Sequence, residues 1–180
     1  KITHSFYTQE VLAKVTGRFH FAIYFEGTRC YTSDGGEIKV FCCVTNMEVQ
    51  SYKLDNVYIA DMLATAGGGT LYVATRQGLF FCIDLLTDNI QSVPIPLSTG
   101  FHYFSCITTG ESGNIFVSCD DRVLLYKTDT WENGSATHFP GRISAIVYNT
   151  KHKTLVGVSS LYGQWTGYVF FGNVEQDHVI

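Results

Sequence analysis

Short runs of β-forming residues, broken by Gly-, Asn- and Asp-bearing turns, set the pattern of this chain, and no segment carries a long apolar period of 3.6 residues. The clearest runs come in pairs. Residues 28–41, 70–81 and 114–125 each read as a hairpin of two strands around a tight turn, and 154–159 with 167–171 reads as a fourth hairpin with a longer loop. Taking Thr28, Thr70, Asn114 and Thr154 as starts, the spacings are 42, 44 and 40 residues. Regularity on that scale marks a repeat architecture. The run Val11-Leu12-Ala13-Lys14 has room for one helical turn and reads as the approach to the first repeat.

Each repeat predicts four strands. One strand arrives before the hairpin, as in Tyr103–Thr108 or Ile143–Tyr148, and a turn such as Ala66-Gly67-Gly68-Gly69 or Asn149–Lys153 separates the two. A more polar fourth strand closes the unit: 48–52, 89–93, 135–139 and the tail 176–180. The hairpin strands do not alternate. Leu71-Tyr72-Val73-Ala74 and Val123-Leu124-Leu125-Tyr126 are apolar on both faces, which requires cover on both sides. Four-stranded sheets stacked face to face, each with a wet outer strand, are the blades of a β-propeller. The expected fold class is therefore all-β, a propeller of four-stranded blades with about four blades visible.

The four units resemble blades of the β-propeller family, most closely degenerate WD40 repeats. Residues 69–79, Gly-Thr-Leu-Tyr-Val-Ala-Thr-Arg-Gln-Gly-Leu, are similar to the blades of sensor-type propellers and to the degenerate carboxy-terminal propellers of large scaffold and leucine-rich-repeat kinase proteins. Gly113–Val117 resembles blades of the NHL and gluconolactonase-like kinds. The Gly-His and Trp-Asp pairs of strict WD40 repeats are absent; Ile83-Asp84 and Lys127-Thr128 stand where Trp-Asp would fall. The expected division is a lead-in or piece of another blade at 1–16, then blades at about 17–54, 55–97, 98–139 and 140–180. An open array of four would leave a sticky blade face at each end. Part of a larger propeller is the favoured reading, and a compact four-bladed ring is the second.

Composition narrows the function classes. Twelve Lys and Arg against 16 Asp and Glu give a net charge of -4, with no basic cluster for a phosphate backbone, so nucleic acid is not an expected partner. No apolar run reaches the ~18–20 residues of a membrane helix. The first residue is Lys1 and no charged-then-apolar leader follows, which reads as a processed chain, an excised domain or a part of something longer. Cys30, Cys42, Cys43, Cys82, Cys106 and Cys119 mostly lie in apolar runs without CxxC spacing. They read as reduced thiols of a cytoplasmic protein rather than zinc ligands. Three disulfides with a glycosylated Asn133-Gly134-Ser135 in a secreted or extracellular protein are the alternative.

Catalytic signatures are missing. No G-x-S-x-G elbow occurs, and His4, His20, His102, His138, His152 and His178 hold no recurrent position. Gly67–Gly69 precedes a strand, which is not the helix a phosphate cradle needs. Asp61 and Glu26 end up near the expected channel, as lactonase-like metal sites require, but the matching positions are Thr108 and Tyr148 and complete no site. No catalytic residue, cofactor or metal is expected. The candidate partner contacts are Arg76, the turn Asp120-Asp121-Arg122, and Tyr162 and Trp165 in the expanded fourth loop, since rigid aromatics and Arg dominate binding surfaces. Arg142 and Phe101 are expected on that same face, and Trp131 at the opposite rim. The expectation is a non-catalytic scaffold that holds a protein or peptide, with the rest of the same propeller as a further partner. A channel-based enzyme or small-molecule sensor, or an extracellular ligand-binding propeller, is the alternative.

Overall fold

The computed structural model describes residues 23–65, 68–93, 103–111, 113–131, 133–139, 141–160, 167–175 and 178–179. They form four antiparallel sheets, each a meander of four strands in sequence order. The first holds β1 (Ile23–Glu26), β2 (Arg29–Asp34), β3 (Glu37–Cys42) and β4 (Met47–Lys53). The second holds β5 (Ile59–Ala64), β6 (Thr70–Thr75), β7 (Phe80–Asp84) and β8 (Ile90–Val93). The third holds β9 (Phe104–Thr109), β10 (Ile115–Cys119), β11 (Arg122–Tyr126) and β12 (Asn133–His138). The fourth holds β13 (Arg142–Asn149), β14 (Thr154–Ser160), β15 (Gly167–Glu175) and β16 (His178–Val179). The lead-in at 1–16, including 11–14, lies outside the described residues.

The first strands of consecutive sheets, β1, β5, β9 and β13, touch in that order. Between the sheets lie three apolar layers. Tyr31, Ile38 and Val40 of the first sheet meet Met62, Leu71, Val73 and Ile83 of the second. On the other face of that second sheet, Leu63, Tyr72, Ala74 and Phe80 meet Phe104, Ile107, Ile115, Val117 and Leu124. Cys106, Phe116, Val123 and Leu125 of the third sheet meet Ile143, Ile146, Tyr148 and Leu155 of the fourth. The predicted two-sided burial therefore holds: β10 is buried at every position, and β6 at all but Thr70. By contrast, most of β4 and of β8 stands in water.

Polar links fix how the layers meet. Ser105 Oγ lies 2.9 Å from Ser118 Oγ and donates to the Ile143 carbonyl at 2.7 Å, joining β9, β10 and β13. At the outer side, Asp88 accepts from Gln50 Nε2 and from the Tyr52 hydroxyl.

The turns between second and third strands are built into the connections between sheets. In the first sheet the carbonyls of Gly35 and Gly36 accept from Ile59 and Leu54, at 2.9 and 2.8 Å. In the third sheet Asp120 and Asp121 repeat this, accepting from Ile143 and Phe139, each at 2.7 Å. Gly35 (φ 61°) and Asp120 (φ 52°) both take the left-handed conformation, which Asp tolerates better than most residues. A Cβ at Gly36 would sit 2.1 Å from the Leu54 carbonyl oxygen. Gly36→Ala is therefore expected to destabilise the chain by about 1–3 kcal/mol, because the turn must withdraw from the connection it holds. Chemical denaturation of the variant against wild type measures this.

Candidate functional site

The end of the array that carries these turns also carries the connections between sheets. Ile59 and Ile143 are equivalent, since each donates to the first carbonyl of a turn in the preceding sheet. The residues preceding Ile59, Phe104 and Ile143 are Tyr58, Tyr103 and Arg142, the first two just outside β5 and β9 and the third opening β13; they follow one another along the inner strands. Tyr58 and Tyr103 are 51% and 47% exposed, although each stands next to a fully buried residue, Ile59 or Phe104. The Arg142 guanidinium lies 5.5 Å from the centre of the Tyr103 ring, within cation–π range.

Backbone bonds hold this arc in place. The Tyr58 carbonyl accepts from Arg76 N–H at 2.8 Å, and Gln77 Oε1 accepts from Tyr58 N–H at 2.9 Å. Arg76 itself is exposed. Its turn is tightened from within, as Thr75 Oγ1 donates to the Leu79 carbonyl and accepts from Leu79 N–H. In the third sheet Asp120 N–H donates to the Tyr103 carbonyl at 3.1 Å. One carboxylate oxygen of Asp121 lies 3.7 Å from Arg122 Nε, and the other lies 3.7 Å from His138 Nδ1. These half-exposed pairs add little to stability, but they set which charges face outward.

Of the sequence-predicted contacts, Arg76, Asp120, Asp121 and Arg122 all occupy this end, in equivalent turns of the second and third sheets. Arg142 joins them. Phe101, Tyr162 and Trp165 lie outside the described residues. Trp131 follows β11 at the opposite end, where its ring meets Tyr72 edge-on at 5.7 Å and Phe80 at 6.0 Å. Sequence reasoning passed over Tyr58 and Tyr103 as site residues. Their signal was positional: in Tyr58-Ile59, Tyr103-Phe104 and Arg142-Ile143, a large amphipathic residue stands one step before the first buried residue of an inner strand.

Asp61 accepts Met62 N–H through Oδ1 and Ile107 N–H of the next sheet through Oδ2, both at 2.9 Å. Its carboxylate is committed to tying β5 to β9, as expected of a satisfied polar group. Glu26 is placed only by register, opposite Arg29. Among the described residues no three His, Cys, Asp or Glu side chains gather as metal ligands. A cleft of about 370 Å³ opens at the opposite end between the second and third sheets, lined by Leu63, Thr65, Tyr72, Thr109, Asn114 and Ile115. No described helix is long and apolar enough to cross a membrane.

None of the six cysteines is bridged. Burial pushes Cys106 up to about 11 and Cys119 up to about 12. Cys42 moves the other way, because it accepts hydrogen bonds from Thr45 and from backbone N–H groups.

Comparisons with solved structures identify the architecture as a β-propeller. The chain is similar to Kuenenia stuttgartiensis hydrazine synthase, with a TM-score of 0.78 at 16% identity over 97% of this chain and 51% of that one. It is also similar to the Cps50 (Swd1) β-propeller domain of Myceliophteria thermophila, with a TM-score of 0.70 at 10% identity over 86% of this chain and 51% of that one. The chain thus spans about half the length of each. At these identities the likeness shows the fold, and the four sheets are its blades. No protein-family model and no curated protein matches the sequence.

Two outcomes follow from the polar groups. With iodoacetamide on the folded chain, mapped by mass spectrometry, Cys42 should react before Cys106 and Cys119, which should become reactive only on unfolding. Burial raises the Asp61 pKa above its ordinary 3.8 by disfavouring the carboxylate. An acid with a raised folded-state pKa weakens the fold above that pKa, and the penalty is relieved as pH falls through it. Asp61→Asn should flatten this part of the pH dependence. Asp61→Ala, which leaves two N–H groups without their acceptor, should cost about 1–3 kcal/mol at pH 7. Denaturation curves across the acid range test both.

Proposed function

We propose that this chain is a non-catalytic interaction platform, a WD40-like propeller segment that holds a protein or peptide on the end carrying Tyr58, Arg76, Tyr103, Arg142 and the Asp120–Arg122 turn. The observation that carries this reading is the arc itself. Exposed Tyr58 and Tyr103 and half-buried Arg142, of the residue types that dominate binding energy elsewhere, stand at equivalent positions with exposed Arg76 in the neighbouring turn, on a frame held by backbone hydrogen bonds. A rigid paratope of this composition loses little entropy on binding. Arg142 over the Tyr103 ring and Arg76 in the turn bonded to Tyr58 favour a segment bearing acidic side chains. Tyr162 and Trp165 extend the proposed surface by their place in the expanded loop of the fourth blade. The proposed organisation is one propeller domain over 17–180 in a cytoplasmic protein, with no cofactor.

A second reading has one support, the likeness to a chain named as hydrazine synthase. On that reading the cleft between the second and third blades takes a small ligand.

Selection of a displayed peptide library on the chain separates the two. Acidic peptides should be enriched, and Arg142→Glu or Tyr103→Ala should weaken their binding at least tenfold with the melting temperature held. Equal binding by both variants would remove the arc as the site.

A further inference from the structure

The fourth sheet differs from the other three in how its far face meets solvent. Towards the third sheet it presents Ile143, Ile146, Tyr148 and Leu155, all buried. Across its other face the register aligns Ala145 with Val158 and Val158 with Val169, while Val147 pairs with Val156 in the next row. Val147, Val158 and Val169 are 58%, 40% and 63% exposed. The corresponding faces of the first three sheets, with Val40, Ala74 and Leu125 among their buried residues, are each covered by the sheet that follows. Exposed valines on three successive strands, in two adjoining rows, make a face suited to stacking that no described sheet covers.

We propose that this face is the seat of a further four-stranded blade, stacked on the fourth as the fourth is stacked on the third. Continuity argues for that occupant: three interfaces of this kind already run along the array, and the chain matches only about half of each solved propeller it resembles. The covering blade would present aromatic and branched aliphatic side chains, as Ile143, Ile146, Tyr148 and Leu155 do one step earlier.

A second copy of this chain fits less well. The outer face of its first sheet aligns Thr32 with Lys39 and Lys39 with Ser51, and Lys39 Nζ lies 4.0 and 3.7 Å from Glu37 and Glu48. Cys30 and Phe41 are its apolar members there, and both are already buried. Setting this row against the valines would strip water from three charges without new partners.

Maleimide labelling of Val158→Cys, and separately Val169→Cys, tests the proposal, with each site read by peptide mapping and the molar mass by light scattering. In the 180-residue chain both should label at the rate of an exposed thiol, in a monomer. In the longest natural polypeptide that contains this sequence both rates should fall at least tenfold. Equal rates in the two polypeptides overturn the proposal, as they must where no longer polypeptide occurs. Protection in the 180-residue chain together with a dimeric mass also overturns it and assigns the face to a second copy.

Discussion

Everything in this array depends on strands that are apolar on both faces. In β6, Leu71 and Val73 point into one layer while Tyr72 and Ala74 point into the other. Burial of one large apolar side chain contributes about 1.5–3 kcal/mol. A sheet stripped of one neighbour therefore loses several such contributions at once, more than a marginally stable domain can spare. No sheet here can be stable as an isolated layer. The repeat is a consequence, because the cheapest cover for a two-faced sheet is another of the same kind.

Stacking alone would let the sheets slide, since apolar contact has no direction. Polar groups supply it. Asp61 reaches across to Ile107 N–H, Ser105 reaches to the Ile143 carbonyl, and the outer sides meet through Asp88. The turn carbonyls of Gly35, Gly36, Asp120 and Asp121 then hold the connections at one end. The turn bonds and the part-buried bonds of Asp61 and Ser105 are costly to leave unmade, whereas the exposed Gln50–Asp88 bond contributes less. The loops at that end inherit the rigidity of the sheets, which loops do not normally have.

Much of the fold was legible because its two signals are strong and independent. The spacing of the hairpins marks the repeat, and the two-sided apolarity of Leu71–Ala74 and Val123–Tyr126 marks stacked sheets. The site was less legible, for physical reasons. Asp120 replaces Gly35 at a left-handed turn position, so the equivalence of the two turns rests on carbonyls that sequence does not display. Tyr58 and Tyr103 look like strand residues by composition; only the bonds to Gln77, Arg76 and Asp120 reveal that they stand just outside the strands. The unlikeness of Asp61 to a metal ligand also becomes clear only through the two N–H groups it accepts.

The same constraint limits where function can reside. Faces between sheets are used up in stacking, and Cys106, whose sulfur lies 2.8 Å from Ser118 Oγ within the third sheet, holds a thiol that stays protonated near neutrality. What remains is the two ends, the outer strands, the charged outer face of the first sheet and the far face of the fourth. The far face exposes Val147, Val158 and Val169, the chemistry of a stacking face. The outer strands carry single exposed side chains such as Met47 and Val49, which need no special account. The end with Tyr58, Tyr103 and Arg142 differs from both, because its aromatic and cationic groups recur at one structural position in successive blades. Recurrence of that kind places similar chemistry along an arc at the spacing of the blades, and an extended partner can engage several positions of such an arc at once.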